Sequence, residues 1–265
     1  MSTPTQHSLG VDGVGAVEVT IAENGAGQPF LLLHGGAGPQ SVAAFGDLLV
    51  TTRQARVIMP THPGFGATPR PDSLDSIAGL ARVYTALLDR LDVERVTVVG
   101  NSVGGWIAAE MAILGSSRIS GVILIDAVGI EVAGHPVADF FALTLDQVAQ
   151  FSYHDPDRFR IDPASMSDAQ RAVVAGNRSS LATYGGRSMT DPTLRDRLTN
   201  IALPVLVLWG ESDQIADPEY GRTYAAAIPG ATFILLPATG HMPQLETPEQ
   251  LLAPIWNFAE ETASR

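Results

Sequence analysis

Ser102 sits in Gly100-Asn101-Ser102-Val103-Gly104, directly after the apolar run Val96 to Val99 and directly before an alanine-rich helical pattern. That context is what gives a Gly-x-Ser-x-Gly spacing its meaning. On a sharp strand-to-helix turn the serine takes a strained backbone conformation, the glycines let the chain pass close by, and the hydroxyl stands exposed at the top of a sheet. The helix that follows offers unpaired N–H groups and a positive dipole end to a developing oxyanion. A serine hydroxyl is a weak nucleophile at neutral pH, so it needs a base within hydrogen-bond reach, and the base needs an orienting acid.

Six histidines are available as base. His7 lies in a terminus expected to be loose, and His135 and His154 fall in a strand-poor stretch where they read as surface or pocket-lining residues. His34 and His62 follow core strands and are candidates to line a site. His241, in Leu236-Pro237-Ala238-Thr239-Gly240-His241-Met242-Pro243, lies between the last strand and the last helix and is the best-placed base. For the acid, Asp213 follows the buried run Val205 to Trp209, and Asp126 holds a similar place one strand earlier as the second choice. Glu211 and Asp217 rank below them, because Asp217 reads as the cap of a helix beginning at Pro218-Glu219. Phe30-Leu31-Leu32-Leu33-His34-Gly35-Gly36-Ala37-Gly38 adds a glycine turn whose N–H groups face the same edge. The Gly36 N–H, together with that of Val103, is expected to form an oxyanion hole.

These residues need elements to hold them. Strands are expected at Ala16 to Ala22, Phe30 to His34, Arg56 to Met59, Val96 to Val99, Val122 to Ile125, Val205 to Trp209 and Thr232 to Leu236. Most are continuous apolar runs, as in strands covered on both faces. Helical patterns lie between them at Ser41 to Thr51, Leu74 to Leu91, Val103 to Leu114, Glu219 to Ala227 and Pro248 to Glu261. The alternation predicts an α/β fold with a mostly parallel, doubly wound sheet. It breaks between residues 131 and 200, where scattered apolar residues at helical spacing suggest an insertion over the carboxyl ends of the strands. Residues 1–130 and 201–265 would then form the core and 131–200 a helical cap. Ligands in open α/β sheets bind at those strand ends.

Composition narrows the chemistry further. The 265 residues carry 28 acidic against 16 basic side chains, a formal charge of -12, and no cysteine. Every basic residue is an arginine, so Schiff-base lysines, P-loop lysines, thiol nucleophiles and thiolate metal sites are all excluded. The acidic balance argues against nucleic acid and anionic membrane surfaces as partners. No apolar run approaches the roughly 18 residues of a spanning helix. Met1 to His7 lack the basic start and apolar core of a signal peptide, so a cytoplasmic protein is expected. The expected partner is a small-molecule substrate, with no cofactor and no metal, in a monomer or homodimer.

Taken together, His34-Gly35-Gly36, His62-Pro63-Gly64-Phe65-Gly66, Gly100 to Gly105, Gly210 to Asp213, Gly240 to Pro243 and Glu246-Thr247-Pro248-Glu249 resemble the α/β-hydrolase superfamily. The resemblance extends from Phe30 to Ala259. It implies a Ser102, His241, Asp213 triad in the chain order of that fold, an acyl-enzyme pathway and a cap over the site. Serine as the nucleophile argues against haloalkane dehalogenases and epoxide hydrolases, whose pattern has aspartate there. Gly-Asn-Ser-x-Gly-Gly is similar to hydrolases that cleave carbon–carbon bonds in aromatic ring-cleavage products. The chain departs from their pattern at Met242, where they carry tryptophan, and in lacking an asparagine after the His34 to Gly38 turn. A carboxylesterase or lactonase of small apolar or aromatic substrates is therefore expected at least equally. A ligand-binding receptor or non-hydrolytic lyase on the same fold is the alternative of a different class.

Within the insertion, Phe140, Phe141, Phe151, Tyr153, Phe159, Met166, Tyr184 and Met189 are candidates to line an acyl pocket. Arg158, Arg160, Arg178 and Arg187 are candidates to hold a substrate carboxylate.

Overall fold

The computed structural model of the chain describes residues 3–263. Eight strands, β1 Thr5–Val11, β2 Gly15–Gly25, β3 Gln28–Leu33, β4 Ala55–Thr61, β5 Val96–Asn101, β6 Ile119–Ile125, β7 Val205–Gly210 and β8 Thr232–Leu236, form one sheet. Their spatial order is β1-β2-β4-β3-β5-β6-β7-β8. From β4 to β8 neighbouring strands run parallel, while β1 and β2 form an antiparallel edge.

The apolar runs of the central strands serve two cores at once. Leu31 and Leu33 of β3 join the larger cluster with α2 Ile77–Leu91, α3 Val103–Leu114 and α8 Pro218–Ala226. Phe30 and Leu32 point to the opposite face, against α1 Gln40–Thr52 and α10 Pro248–Ala263. Side chains alternate across a strand, so covering both faces demands an apolar residue at every position. Helix α2 carries the clearest stripe, with Leu80, Val83, Tyr84, Leu87 and Leu88 all buried.

One strand is unexpected, and among the shifted boundaries the start of α2 has a clear cause. The N-terminal stretch holding His7 is strand β1 rather than a loose end, paired with β2 from Thr5 opposite Ile21 to Val11 opposite Gly15. Its start, Met1 and Ser2, lies outside the described residues. Helix α2 begins at Ile77 rather than Leu74, because Ser76 takes the extended cap conformation and accepts the Gly79 N–H. A side-chain oxygen at that position satisfies one orphan donor of the first turn and so defines the start.

Between β6 and β7 the chain builds α4 Leu145–Ser152, α5 Pro156–Phe159, α6 Asp168–Gly185 and α7 Leu194–Arg197. Helix α7 is tied to α3 by Arg197, which forks onto both carboxylate oxygens of Glu110 at 2.6 and 2.7 Å and also reaches Asp191. The remaining short helix, α9 Pro243–Glu246, follows β8. Among the described residues no helix is long and apolar enough to cross a membrane.

Candidate active site

The turns after β3, β5, β6, β7 and β8 converge at the carboxyl edge of the sheet. At β5 the chain reverses sharply into α3, and Ser102 holds φ 55° and ψ -119°, a strained combination for a residue with a side chain. The flanking glycines are sterically required. A β-carbon on Gly100 would lie 2.1 Å from the Gly104 carbonyl oxygen, and one on Gly104 would lie 2.3 Å from that of Leu33.

Ser102 Oγ lies 2.9 Å from His241 Nε2, and His241 Nδ1 lies 2.7 Å from Asp213 Oδ2. The second oxygen of Asp213 accepts the N–H groups of Ile215 and Ala216 at 2.8 and 3.2 Å. Both carboxylate oxygens are thus committed, which fixes the face presented to the imidazole. Asp213 is 2% exposed and His241 6% exposed, so the chain of bonds is shielded from water except at the serine.

The second-choice acid, Asp126, does not bond to His241. Its Oδ1 accepts the Gly210 N–H at 2.8 Å, and Oδ2 has no close partner. Burial first, and the nearby Asp213 carboxylate second, push its carboxyl well above the usual range. Both causes favour the protonated form beside the Asp213–His241 pair. Asp126, Asp213 and His241 do bring ligand-type atoms within 4.8 Å of one another. Asp213 already spends one oxygen on His241 and the other on the Ile215 and Ala216 N–H groups. Asp217 caps α8 as expected, its Oδ1 accepting the Glu219 and Tyr220 N–H groups.

The other histidines do not enter the site. His34 and His62 are fully buried, their ring centroids 3.7 Å apart and their planes tilted by 32°. The His62 backbone N–H donates to His34 Nε2, so His34 carries its proton on Nδ1 and donates to the Gly35 carbonyl. His62 Nε2 donates to the His34 carbonyl, leaving Nδ1 to accept from the Tyr84 hydroxyl. Burial holds both imidazoles neutral, lowering His34 to about 4 and His62 well below its ordinary value. This pair underpins the turn that carries Gly36. His135 and His154 instead join the insertion to the loop after β7, at Asp217 and Ser212.

A cavity of about 250 Å³ opens beside Ser102, Gly36 and His241 and is walled by the insertion. Phe140, Tyr153, Phe159 and Met189 line it, whereas Phe141, Phe151, Met166 and Tyr184 do not. Phe140 and Phe141 stack on one another, so only one of the two faces the space. The aliphatic wall of Leu145, Val148, Ile161, Val174, Leu181 and Ile215 includes positions that sequence reasoning did not assign to a site. Of the four arginines, Arg160 and Arg178 reach the lining and Arg158 and Arg187 do not. Arg178 donates to the Phe140 and Phe141 carbonyls at 3.0 and 2.8 Å, and the exposed Arg160 faces Asp157 and Asp146 at 3.4 and 3.8 Å.

Residues 28–248 match the family described as the alpha/beta hydrolase fold, and the chain belongs to that family. The 2-hydroxy-6-oxo-2,4-heptadienoate hydrolase of Pseudomonas putida is 30% identical over 260 residues, covering 88% of this chain and 89% of the relative. Lipase 1 of Psychrobacter immobilis is 28% identical over 245 residues, covering 86% and 76%. Among solved structures, a thermophilic esterase from Thermogutta terrifontis superposes with a TM-score of 0.76 at 23% identity, over 98% of this chain and 99% of the other. The chain is a hydrolase of this family, whose members similar to it include a dienoate hydrolase and a lipase.

Proposed function

We propose that the protein is a serine hydrolase that cleaves small apolar or aromatic carboxylic esters or lactones through an acyl-enzyme. The observation that carries this reading is the continuous relay from Asp213 through His241 to Ser102 Oγ, opening into a small, mainly apolar cavity. His241 Nε2 takes the Ser102 proton as Oγ attacks the carbonyl carbon, and Asp213 holds the imidazole in the tautomer that leaves Nε2 free to accept. The N–H groups of Gly36 and Val103 hold the tetrahedral oxyanion. Val103 opens α3, so its N–H has no partner within the helix. His241 then returns the proton to the leaving alkoxide, and a water activated by the same imidazole releases the acid.

The 131–200 insertion acts as a cap that shapes the acyl pocket. Ligand sites commonly run to about 300–1,000 Å³, so a cavity of about 250 Å³ suits a small substrate. Cleavage of carbon–carbon bonds in ring-cleavage products is the second reading, favoured by the Pseudomonas putida relative. The lining argues for the ester reading. Arg178 spends two of its donor contacts on backbone carbonyls, and Arg160 faces two carboxylates, so neither is held out as a fork toward a substrate carboxylate. The experiment is hydrolysis of p-nitrophenyl acetate and butyrate by the parent protein and Ser102→Ala. Turnover by the parent alone is expected; equal turnover by both would sink the assignment.

A further inference from the structure

The Glu246-Thr247-Pro248-Glu249 motif has no part in the relay, yet its first residue reaches the loop that carries the base. Glu246 ends α9, and its two carboxylate oxygens bond to two different segments. Oε2 accepts the Gly240 N–H at 2.7 Å, immediately before His241. Oε1 accepts the Asp155 N–H at 2.9 Å, in the junction between α4 and α5 of the insertion. One carboxylate thus bridges the base loop and the insertion.

Two backbone hydrogen bonds tie the end of α4 to the base loop and to the neighbouring acid loop. The last carbonyls of α4 have no partner within the helix and need donors. Ser152 O accepts the His241 N–H at 2.7 Å, and Phe151 O accepts the N–H of Gln214, next to the acid, at 3.0 Å. The approach is close enough that a β-carbon on Gly240 would lie 2.3 Å from the Ser152 carbonyl oxygen. The Glu246 charge is also felt on the insertion side, where burial first and Glu246 second push the Tyr153 hydroxyl up to about 12.

We propose that Glu246 is a positioning residue, a two-handed clasp that sets His241 by holding the base loop against residues 151–155 of the insertion. The proposal rests on His241 serving as the base. It makes the insertion a working part of the catalytic geometry as well as a pocket wall. Two amide donors require two acceptor oxygens, which a carboxylate has. A glutamine offers one acceptor, its NH₂ meeting the second N–H donor to donor, so Glu246→Gln keeps at most one hand of the clasp. An alanine keeps neither.

The test combines p-nitrophenyl butyrate kinetics with hydrogen exchange on the full chain, for the parent, Glu246→Gln and Glu246→Ala. The expected result for Glu246→Ala is a fall in kcat of about tenfold, the scale of an imperfectly placed base. KM should change less than kcat, because Glu246 itself does not line the cavity. Glu246→Gln should fall between parent and alanine. Exchange should quicken in peptides covering 151–156 and 238–243 and stay unchanged in β5 and α3. Unchanged kcat and exchange would overturn the proposal. So would a loss accompanied by faster exchange throughout the sheet, which is general destabilisation. If the parent hydrolyses nothing, the proposed function fails, while the exchange pattern still decides whether the clasp exists.

Discussion

At the residue scale, Asp126 and Asp213 have similar settings and different partners. Both are buried and both follow apolar strands, but only Asp213 reaches His241. Burial and the Asp213 carboxylate favour the protonated form of Asp126, which Asp126→Asn matches in charge and shape. Its kcat is expected to stay within about threefold of the parent, whereas Asp213→Asn should lose about 10⁴, the scale seen when a triad acid no longer fixes the tautomer. Equal losses in the two variants would reverse the assignment. Sequence spacing ranks Asp213 above Asp126 without separating them on physical grounds; in the structure it is Asp213 that lies beside His241. What separates them is the turn after β7, where the Ile215 and Ala216 N–H groups aim the Asp213 carboxylate at His241, 28 residues further along the chain, and a side-chain bond of that span leaves no periodic trace. Glu246 was visible in the same way, as a motif letter without a task, because its two partners lie 6 and 91 residues away in the chain.

At the element scale, the strands and helices that present Ser102 and Gly36 were legible because strands buried on both faces must be apolar throughout and a glycine-flanked turn must follow. Strand β1 was not, since an edge strand buries only alternate residues, here Leu9 and Val11, and reads as a polar tail. The insertion was legible only as helical. Its longest helix, α6, has few buried residues and interior glycine, although the Ser167 and Gln170 capping box marks its start. Its half-buried Val174 lines the cavity without belonging to the core. Val174→Phe should shorten the acyl pocket and lower kcat/KM for p-nitrophenyl hexanoate relative to acetate by about tenfold, within the range for small changes in an apolar pocket. An unchanged ratio measured side by side would show that this wall does not bound the acyl group.

At the scale of the whole molecule, buried titratable groups tie stability to pH. His34 and His62 take up protons readily only when the chain unfolds, since folding depresses both. A depressed histidine contributes stability that is fully present above its unfolded value of 6.5 and is lost as pH falls below it. Asp126 acts in the opposite sense, because folding raises its pKa and the native state holds a proton the unfolded chain releases above 3.8. Two histidine protons on the unfolded side against one carboxyl proton on the folded side leave about one net proton. Stability should therefore fall by about 1.4 kcal/mol per unit as pH drops from 6.5 toward 4. Urea midpoints at pH 4.5, 5.5, 6.5 and 7.5 check this, and a flat or rising profile on acidification would show that the two imidazoles are not held neutral. The net charge of -12 repels anions at long range, in keeping with the neutral substrates proposed.

The account turns on Ser102 being a nucleophile activated by His241 and Asp213. Its most direct test is intact-mass spectrometry after treatment with a fluorophosphonate at neutral pH. It predicts a single adduct on the parent, mapped to the peptide holding Ser102, with none on Ser102→Ala and strongly slowed labelling in His241→Ala. An unlabelled parent, or equal labelling of Ser102→Ala, would contradict it.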